Sequence, residues 1–327
     1  LNTIKRLLKM ADTRTIAKRT FLYRSGSQAQ TFFGQELPPR DAYVDFVKEA
    51  LEECGMDPNP MAWVCPVVFD FPALREQLNF GPVVVDIVDD QRRWKAQESY
   101  RRRVEQNYVD ILKVGDIVLS NCEPVREGFQ GLRDDIMIVP NGAELFPADQ
   151  KWSLPPDIAD LPRPLVGYVG NLRDRVDIVT IREMAEKRPK WSVALIGSAG
   201  GSLDVLALGS LPNVHLLGVK PYEQALHYIK NFDVAIMPHV KNAISENMNP
   251  LKLYVYFALG VPIVTTNVAN IGDISPYVSV VDTSAQFIRA IEANLNGKGP
   301  KLSEKTRQAT LEKVSWKSRV NEVITKL

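Results

Sequence analysis

Short apolar runs alternate with amphipathic stretches from about residue 60 onward, and this alternation predicts βα units built on parallel sheets. Most of the runs are rich in Val and Ile and apolar throughout, as expected for strands that helices cover on both faces. The predicted strands form two series, 63–69, 82–88, 116–120 and 136–139, then 165–169, 192–196, 214–217, 234–237, 263–266 and 278–281. Helical patterns fall at 42–54, 93–112, 177–187, 222–231, 249–259, 284–295 and 303–326.

A proline-rich stretch, 147–164, separates the two series. Proline fixes φ and removes a backbone donor, so this stretch predicts an extended linker. We therefore expect an α/β protein with two Rossmann-like domains that face each other across a cleft, over residues 1–150 and 151–327. The final helix is expected to cross back to the first domain. The first sixty residues lack an opening strand with a glycine-rich turn, and we expect them to be irregular or incomplete.

Composition narrows the class of protein. The chain has 327 residues, of which 45% are hydrophobic and 24% charged, and these fractions exclude a disordered chain and a coiled coil. Its 40 Lys and Arg residues nearly balance 39 Asp and Glu residues, so no overall charge attracts nucleic acid. Three cysteines and three histidines lack the spacing of a metal site, and we expect no metal.

The N-terminal segment raises the question of where the protein works. No apolar run approaches the roughly 18 residues of a spanning helix, and no signal-peptide pattern is present, so we expect a cytoplasmic protein. Residues 1–33 carry seven Lys and Arg residues and one acidic residue, Asp12. A solvated arm is the favoured interpretation, and peripheral contact with the inner face of an anionic membrane is the alternative.

The segment 242–262, NAISENMNPLKLYVYFALGVP, follows a predicted strand that ends at Pro238-His239. Asn249 is expected to cap a helix that has Pro250 at its first position. A helix N-terminus at the carboxyl end of a parallel strand binds anions, and Lys252 adds a full positive charge there. Taken alone, the segment favours an ordinary capped surface helix.

The segment 164–177, PLVGYVGNLRDRVD, changes that balance. It reads as a buried strand followed by Gly170-Asn171 and a turn that carries Arg173 and Arg175. Glycine lets the backbone approach a ligand, and the arginine fork suits phosphate oxygens. Both segments end strands of one domain, at the sheet edge where open α/β sheets bind ligands.

Several segments together resemble the C-terminal domain of GT-B glycosyltransferases: GYVGNL, WSVALIG, LPNVHLLGVKPYEQALHYIKNFDVAIMP, ENMNPLKLYVYFALGVPIVTT and SWKSR. The nearest type is family 4, found in bacterial polysaccharide and cell-wall assembly. The segments IVDD, DIVLSN and IVPNGAELF are similar to the end of the N-terminal domain of these enzymes. The resemblance covers roughly residues 60–327 and is strongest over 165–266.

The resemblance implies a nucleotide-diphosphate sugar as the donor substrate, bound by the C-terminal domain without a metal or another cofactor. Arg173 or Arg175, together with Lys252, would neutralise the diphosphate leaving group. Backbone groups of 218–222 would hold the base. The expected donor contacts are Gly170, Asn171, Gly218, Lys220, Tyr222, His239, Glu246, Asn249, Pro250 and Leu251.

The resemblance also implies a saccharide or lipid-linked acceptor on the N-terminal domain, with transfer that retains configuration. Asp89 is the candidate general base, and Asp86, Asp90 and Asp70 are weaker alternatives. Helix capping is the favoured explanation for at least two of Asp86, Asp89 and Asp90.

One position departs from the family pattern. A glutamate that binds ribose usually follows the first tyrosine of the KLYEYLA motif, and here the residue is Val255. Valine accepts no hydrogen bond, so a catalytically silent GT-B-like binding or assembly module is the main alternative to a transferase. A sugar-nucleotide epimerase of the same architecture is a third hypothesis.

Overall fold

The computed structural model describes residues 30–32, 35–37, 40–56, 59–64, 71–94, 97–173, 175–300 and 303–327. Nearly all of the basic N-terminal segment, and Asp70, lie outside the described residues. The chain forms two compact units. Unit 1 comprises Leu1–Val139 and Glu322–Leu327, and unit 2 comprises Pro140–Asn321.

Unit 1 contains a small hairpin and a parallel sheet. The hairpin pairs β1 (Gln30–Phe32) with β2 (Gln35–Leu37) in antiparallel fashion. The sheet has the order β3-β4-β5-β6 and is parallel throughout. Its strands are β3 (Ala62–Val64), β4 (Val83–Ile87), β5 (Ile117–Ser120) and β6 (Met137–Ile138). The described helices are α1 (Arg40–Glu53), α2 (Phe71–Gln77), α3 (Glu98–Val114) and α4 (Glu123–Glu127).

Unit 2 is built on a six-stranded parallel sheet of order β12-β11-β10-β7-β8-β9. Its strands are β7 (Leu165–Val169), β8 (Ser192–Ile196), β9 (Val214–Leu216), β10 (Val234–Met237), β11 (Ile263–Thr266) and β12 (Val278–Val281). Its helices are α5 (Pro156–Ala159), α6 (Ile178–Lys187), α7 (Leu203–Leu208), α8 (Tyr222–Lys230), α9 (Leu251–Ala258), α10 (Ser284–Leu295) and α11 (Glu304–Lys313). The last helix, α12 (Trp316–Ile324), starts in unit 2 and ends in unit 1.

Apolar side chains cover both faces of the unit 2 sheet. Leu165 and Ala235 belong to the cluster on one face, and Val166 and Val234 belong to the cluster on the other. This explains why the strands read as unbroken apolar runs. The prediction of parallel-sheet α/β architecture is confirmed.

The order in which the strands of unit 2 are added to the sheet reverses at β7. The chain continues from β7 to β8 and β9 on one side, then returns to place β10 on the other side of β7. The gap between β7 and β10 is therefore the topological switch point, where the carboxyl ends of an open sheet leave a crevice. This position determines where the candidate site lies.

Two sequence-based predictions are wrong in detail. The helix predicted over 303–326 is two helices, because the chain breaks at Ser315, which forms a parallel bridge with Ala143 and caps α12 through its hydroxyl. The predicted extended linker over 147–164 contains helix α5, and Ile158 of that helix is buried in the core of unit 2.

Candidate functional site

A group of polar side chains gathers where β7, β10 and the start of α9 meet. Tyr168 lies near the end of β7, Gly170 follows that strand, and His239 comes two residues after β10. Lys252 lies in the first turn of α9, and Arg175 lies in the turn after β7. We call these five residues the lysine cluster.

Lys252 holds the cluster together. Its Nζ atom donates to the Tyr168 hydroxyl at 2.6 Å, lies 4.1 Å from the centre of the Tyr168 ring, and is 3.3 Å from His239 Nε2. The Tyr168 hydroxyl in turn donates to the carbonyl of Asn171 at 3.0 Å. Among the described residues, no carboxylate forms an ion pair with Lys252. The amine is therefore positioned by neutral groups, with its charge left for a ligand.

The electrostatic environment opposes the charge on Lys252. Burial, and secondarily the Arg175 guanidinium, lower the pKa of Lys252 to about 7. Burial raises the pKa of Tyr168, which keeps that phenol neutral. An anion placed between Lys252 and Arg175 would reverse the effect on Lys252, because opposite charge favours the protonated amine.

His239 supplies a neutral ring beside the lysine. The residue is 3% exposed, and burial, then Lys252 and Arg175, lower the pKa of its imidazole to about 2. With Nε2 accepting from Lys252, the ring proton lies on Nδ1, which is buried and has no partner among the described residues. The main chain that carries the ring is fixed by a hydrogen bond, since Thr266 Oγ1 accepts from the backbone N–H of His239 at 3.0 Å.

The turn after β7 brings only one of its two arginines to the cluster. Arg175 reaches Met248 Sδ at 3.6 Å and lowers the pKa of both Lys252 and His239. Arg173 instead lies against Gly200, and it lines a separate cavity of about 540 Å³ next to the turn 200–202. Of the two arginines that the sequence offers as partners of Lys252, the one near the cluster is therefore Arg175, and the role of either toward a ligand stays a prediction.

Glycine is required where the two strand ends touch. A Cβ on Gly170 would lie 2.6 Å from Lys252 Nζ, and the residue has φ of +150°. A Cβ on Gly197, at the end of β8, would lie 1.7 Å from the Gly170 carbonyl oxygen. The two glycines thus keep the backbone open beside the lysine. Asn171 shapes the same turn, since its Oδ1 accepts from the Arg173 N–H at 3.0 Å.

The predicted cap of α9 is wrong. The helix begins at Leu251, so Pro250 occupies the cap position rather than the first helical position, and no side chain caps the helix. Asn249 is buried, and its Oδ1 accepts from the backbone N–H of Asn141 at 2.8 Å. The first-turn N–H groups of α9 remain without side-chain acceptors.

Two further positions raised by the sequence, a predicted donor contact and the departure from the family pattern, lie before and within α9. Glu246 is on a short 3₁₀ turn, where its carboxylate pairs with Lys241 at 3.6 Å. Val255, which occupies the usual glutamate position, is 6% exposed and packs in the hydrophobic core. A carboxylate at that position would be buried, so the departure from the family pattern suits the packing of this chain.

The predicted base-binding stretch follows β9. Gly218 is exposed with φ of +68°, and its carbonyl accepts from the Gly197 N–H. Lys220 pairs with Asp157 at 2.8 Å, and the Tyr222 hydroxyl donates to Glu144 Oε2 at 2.5 Å. Both side chains are engaged within unit 2, and the role of this stretch in binding a base stays a prediction.

The acids of unit 1 have different environments. Asp90 is 3% exposed, caps the 3₁₀ turn Gln91–Arg93, and binds the Arg92 guanidinium through both oxygens. It is structural. Asp89 is half-buried, and its carbonyl accepts from the Tyr108 hydroxyl at 2.9 Å. Asp86 lies on β4, where Trp63 Nε1 donates to it at 3.2 Å and burial raises its pKa to about 6.

Sequence reasoning missed Tyr168, which positions Lys252. A hydroxyl-bearing residue inside an otherwise apolar strand, two positions before a glycine, was the available signal. No group of three His, Cys, Asp or Glu side chains suited to a metal occurs among the described residues. In the same part of the chain, no helix is long and apolar enough to cross a membrane.

Comparison with known proteins finds a family model that is similar to part of unit 2. Residues 163–297 match the family model described as glycosyl transferases group 1. The matched residues all lie in unit 2, which is therefore similar to a group 1 glycosyltransferase domain. The lysine cluster, its glycines and all of α9 lie inside the matched residues of this group 1 domain.

A curated relative extends the match beyond the group 1 domain. The chain is 27% identical over 267 residues to the putative teichuronic acid biosynthesis glycosyltransferase TuaH of Bacillus subtilis (strain 168). The alignment covers 75% of this chain and 66% of the relative, so the chain spans just under two thirds of that protein's length.

Solved structures agree on the fold. A glycosyltransferase from Rickettsia africae superimposes with a TM-score of 0.65 at 10% identity, over 93% of this chain and 83% of that one. A trehalose-6-phosphate protein from E. coli, bound with UDP-2-fluoro glucose, gives a TM-score of 0.60 at 12% identity, over 88% and 77% of the two chains. The architecture around the group 1 domain is the GT-B fold, as the sequence predicted.

Proposed function

We propose that the protein is a glycosyltransferase of bacterial cell-wall polysaccharide assembly. It would move a sugar from a nucleotide-diphosphate sugar to a saccharide or lipid-linked acceptor, without a metal ion. The curated relative named for teichuronic acid biosynthesis supports the pathway class. The matched group 1 domain supports the reaction class.

The observation that carries the proposal is the lysine cluster at the topological switch point. Lys252 and Arg175 supply positive charge, the first turn of α9 supplies N–H groups, and Gly170 leaves the backbone accessible. In the proposed reaction, the bond between the anomeric carbon and the diphosphate oxygen breaks. The charge that develops on the leaving diphosphate would be stabilised by the ammonium and by these N–H groups.

Within this proposal, His239 and Tyr168 have distinct roles. Tyr168 holds the Lys252 amine at the strand end through a 2.6 Å hydrogen bond. His239 keeps a neutral ring beside that amine, with Nε2 3.3 Å from Lys252 Nζ, while its own Nδ1–H is buried. Arg173 would act only if the donor extended toward the cavity beside Gly200.

Calorimetry with a nucleotide panel tests the donor assignment. We expect one of UDP, GDP, ADP, TDP or CMP to bind, and Lys252→Met to weaken that binding about tenfold or more because a charge-assisted contact is lost. Lys313→Met, which removes an exposed lysine of α11, is the matched control and should bind like the wild type. Equal binding by Lys252→Met would remove the lysine cluster from the donor site.

Acceptor and stereochemistry form the finer part of the proposal. We propose that transfer retains the configuration of the sugar, as the family 4 resemblance implies, and that Asp89 contacts the acceptor. Once a donor is known, the product anomer measured by NMR decides the first point. An inverted anomer would exclude retention.

The alternative function is a silent binding or assembly module. The buried, apolar Val255 favours it, because the position offers no acceptor for ribose hydroxyls. A module of that kind would bind a saccharide or a protein partner and show no turnover. Hydrolysis or transfer detected with a sugar conjugate of any of these nucleotides would exclude it.

A further inference from the structure

Three asparagines form a hydrogen-bonded chain beside the start of α9. Asn141 and Asn249 are buried and Asn270 is half-buried. We call them the asparagine chain. All three belong to unit 2, yet they come from three separate segments: the entry of the chain into unit 2, the loop before α9, and the loop after β11.

The first link of the asparagine chain uses four polar groups. The backbone N–H of Asn141 donates to Asn249 Oδ1 at 2.8 Å, and Asn141 Nδ2 donates to the Asn249 carbonyl at 2.6 Å. Asn249 is thus bound through both its side chain and its backbone. Buried amides are costly to leave without such partners, so this link strongly restricts the conformation of residue 249.

The second link extends the chain to the far side of the same loop. Asn249 Nδ2 donates to the Asn270 carbonyl at 2.7 Å, and Asn270 Nδ2 donates to the Glu246 carbonyl at 2.8 Å. Asn270 has φ of +63°, the only non-glycine positive φ among the described residues. This unusual backbone conformation occurs at a residue whose backbone carbonyl and side-chain amide both form hydrogen bonds.

A second network binds the middle of α9. The Tyr254 hydroxyl donates to Asp273 Oδ1 at 3.0 Å, and the Arg319 guanidinium pairs with the other oxygen of Asp273. Arg319 lies on α12, shortly before the chain leaves unit 2 after Asn321. The segment that enters unit 2 is therefore bonded directly to the loop before α9, and the segment that leaves it is linked to α9 only through Asp273.

These contacts assign a role to residues that do not touch the lysine cluster. We infer that Asn141 is a positioning residue, which holds Asn249 and thereby fixes the first turn of α9, with Lys252, in the conformation that receives a diphosphate. The inference rests on the proposed function only in naming a diphosphate as the ligand. The hydrogen bonds that position residue 249 are present in the protein without a ligand.

The central experiment measures nucleoside diphosphate affinity of Asn141→Ala by calorimetry. We expect about a tenfold loss relative to wild type for the nucleotide that binds best. The matched control is Asn213→Ala. Asn213 also uses its amide within unit 2, to bind the carbonyls of Ala185, Arg188 and Trp191, but it lies away from α9. It should lose stability and keep its affinity.

A second variant covers the risk that Asn141→Ala does not fold. Asn270→Gly suits a φ of +63° and keeps the carbonyl that accepts from Asn249, so it removes only the link to Glu246. We expect it to fold and to lose affinity by a smaller factor, about twofold to fivefold. Full affinity in every folded variant of the asparagine chain would overturn the inference.

A double-mutant cycle and a ligand-free measurement separate this inference from the proposed function. If Asn141 acts through Lys252, the affinity loss from Asn141→Ala should shrink in a Lys252→Met background. Lys252 should titrate near pH 7 in the wild type by NMR of its side-chain carbons, and higher in Asn141→Ala. If no nucleotide binds the wild type, the proposed function fails. An unchanged titration in Asn141→Ala then still overturns the positioning role.

Discussion

Lys252 combines a nearly buried amine with neutral hydrogen-bond partners. Whether the amine is charged therefore depends on the pH and on a bound anion. The residues that face it are Tyr168 and His239, both neutral, and Arg175, which is positive. A lysine in that setting titrates near pH 7 rather than near 10.5. The same residue would therefore be a weak cation in the free protein and a full cation against a diphosphate.

Nucleotide binding should for this reason take up protons above pH 7. Between pH 7 and 9 the free amine is increasingly neutral, and the bound diphosphate restores its proton, so affinity should fall by up to about tenfold per pH unit. Calorimetry in buffers of different ionisation enthalpy measures the proton count. Lys252→Met should abolish both the uptake and the pH dependence, and a wild-type affinity that is flat over this range would contradict the shifted titration.

Mutations of two neighbouring acids in unit 1 should affect different properties of the protein, stability for one and activity for the other. Asp90→Ala leaves the buried end of a 3₁₀ turn uncapped and Arg92 without its carboxylate partner, which should cost unit 1 about 2–4 kcal/mol in denaturant unfolding. Asp89→Ala should change that stability little and reduce transfer activity. The reverse pattern, stable Asp90→Ala and unfolded Asp89→Ala, would withdraw Asp89 as the candidate base.

At the scale of elements, buried parallel strands were the most predictable part of the molecule. Five of the six strands of unit 2 have their predicted bounds, because a strand covered on both faces is apolar from end to end. The break at Ser315 was not predictable, because its cause is a bridge to Ala143, far away along the chain, and neither glycine nor proline marks it.

The parts of the candidate site that could be predicted are those that short local motifs mark in the sequence. Gly170, Lys252 and the helix start follow from short motifs, and the structure brings Gly170 and Lys252 together. The cap at Asn249 failed because its partner, Asn141, is 108 residues away. Propensity favours a cap at such an asparagine, but a long-range contact overrode it.

Helix α9 is secured at its carboxyl end as well as at its start. Arg307 donates to the Ala258 carbonyl at 2.8 Å, and Lys230 donates to the Leu259 carbonyl at 2.7 Å. Cations at this end also suit the helix dipole.

Arg307→Met should therefore destabilise unit 2 by about 1–2 kcal/mol in urea unfolding, since a charged donor to buried carbonyls is lost. Arg289→Met, on the exposed side of α10, provides the comparison and should stay within about 0.5 kcal/mol of wild type. Equal stabilities for the two variants would mean that the end of α9 needs no cationic partner.

At the scale of the whole molecule, unit 1 is formed by two separate stretches of the chain. The last six residues belong to unit 1, where Val323 is fully buried against Val84 and Leu119. These three side chains form a small apolar cluster on one face of the unit 1 sheet.

Val323→Ala should lower the unfolding free energy of unit 1 by about 2 kcal/mol, through lost burial and a residual cavity. The adjacent Ile324 is 47% exposed, and Ile324→Ala should cost much less although it removes more carbon atoms. Denaturant unfolding of both variants provides the measurement. A larger loss for Ile324→Ala would show that the terminal residues pack differently.

The late return of the chain also has a consequence for synthesis. A ribosome delivers residues 1–139 first, and Val323 emerges only after all of unit 2 has left the exit tunnel. Val84 and Leu119 must therefore wait, uncovered by their partner, through the translation of some 180 residues between Pro140 and Asn321. Nascent chains stalled before Glu322 should accordingly be more sensitive to protease in their first 139 residues than released protein.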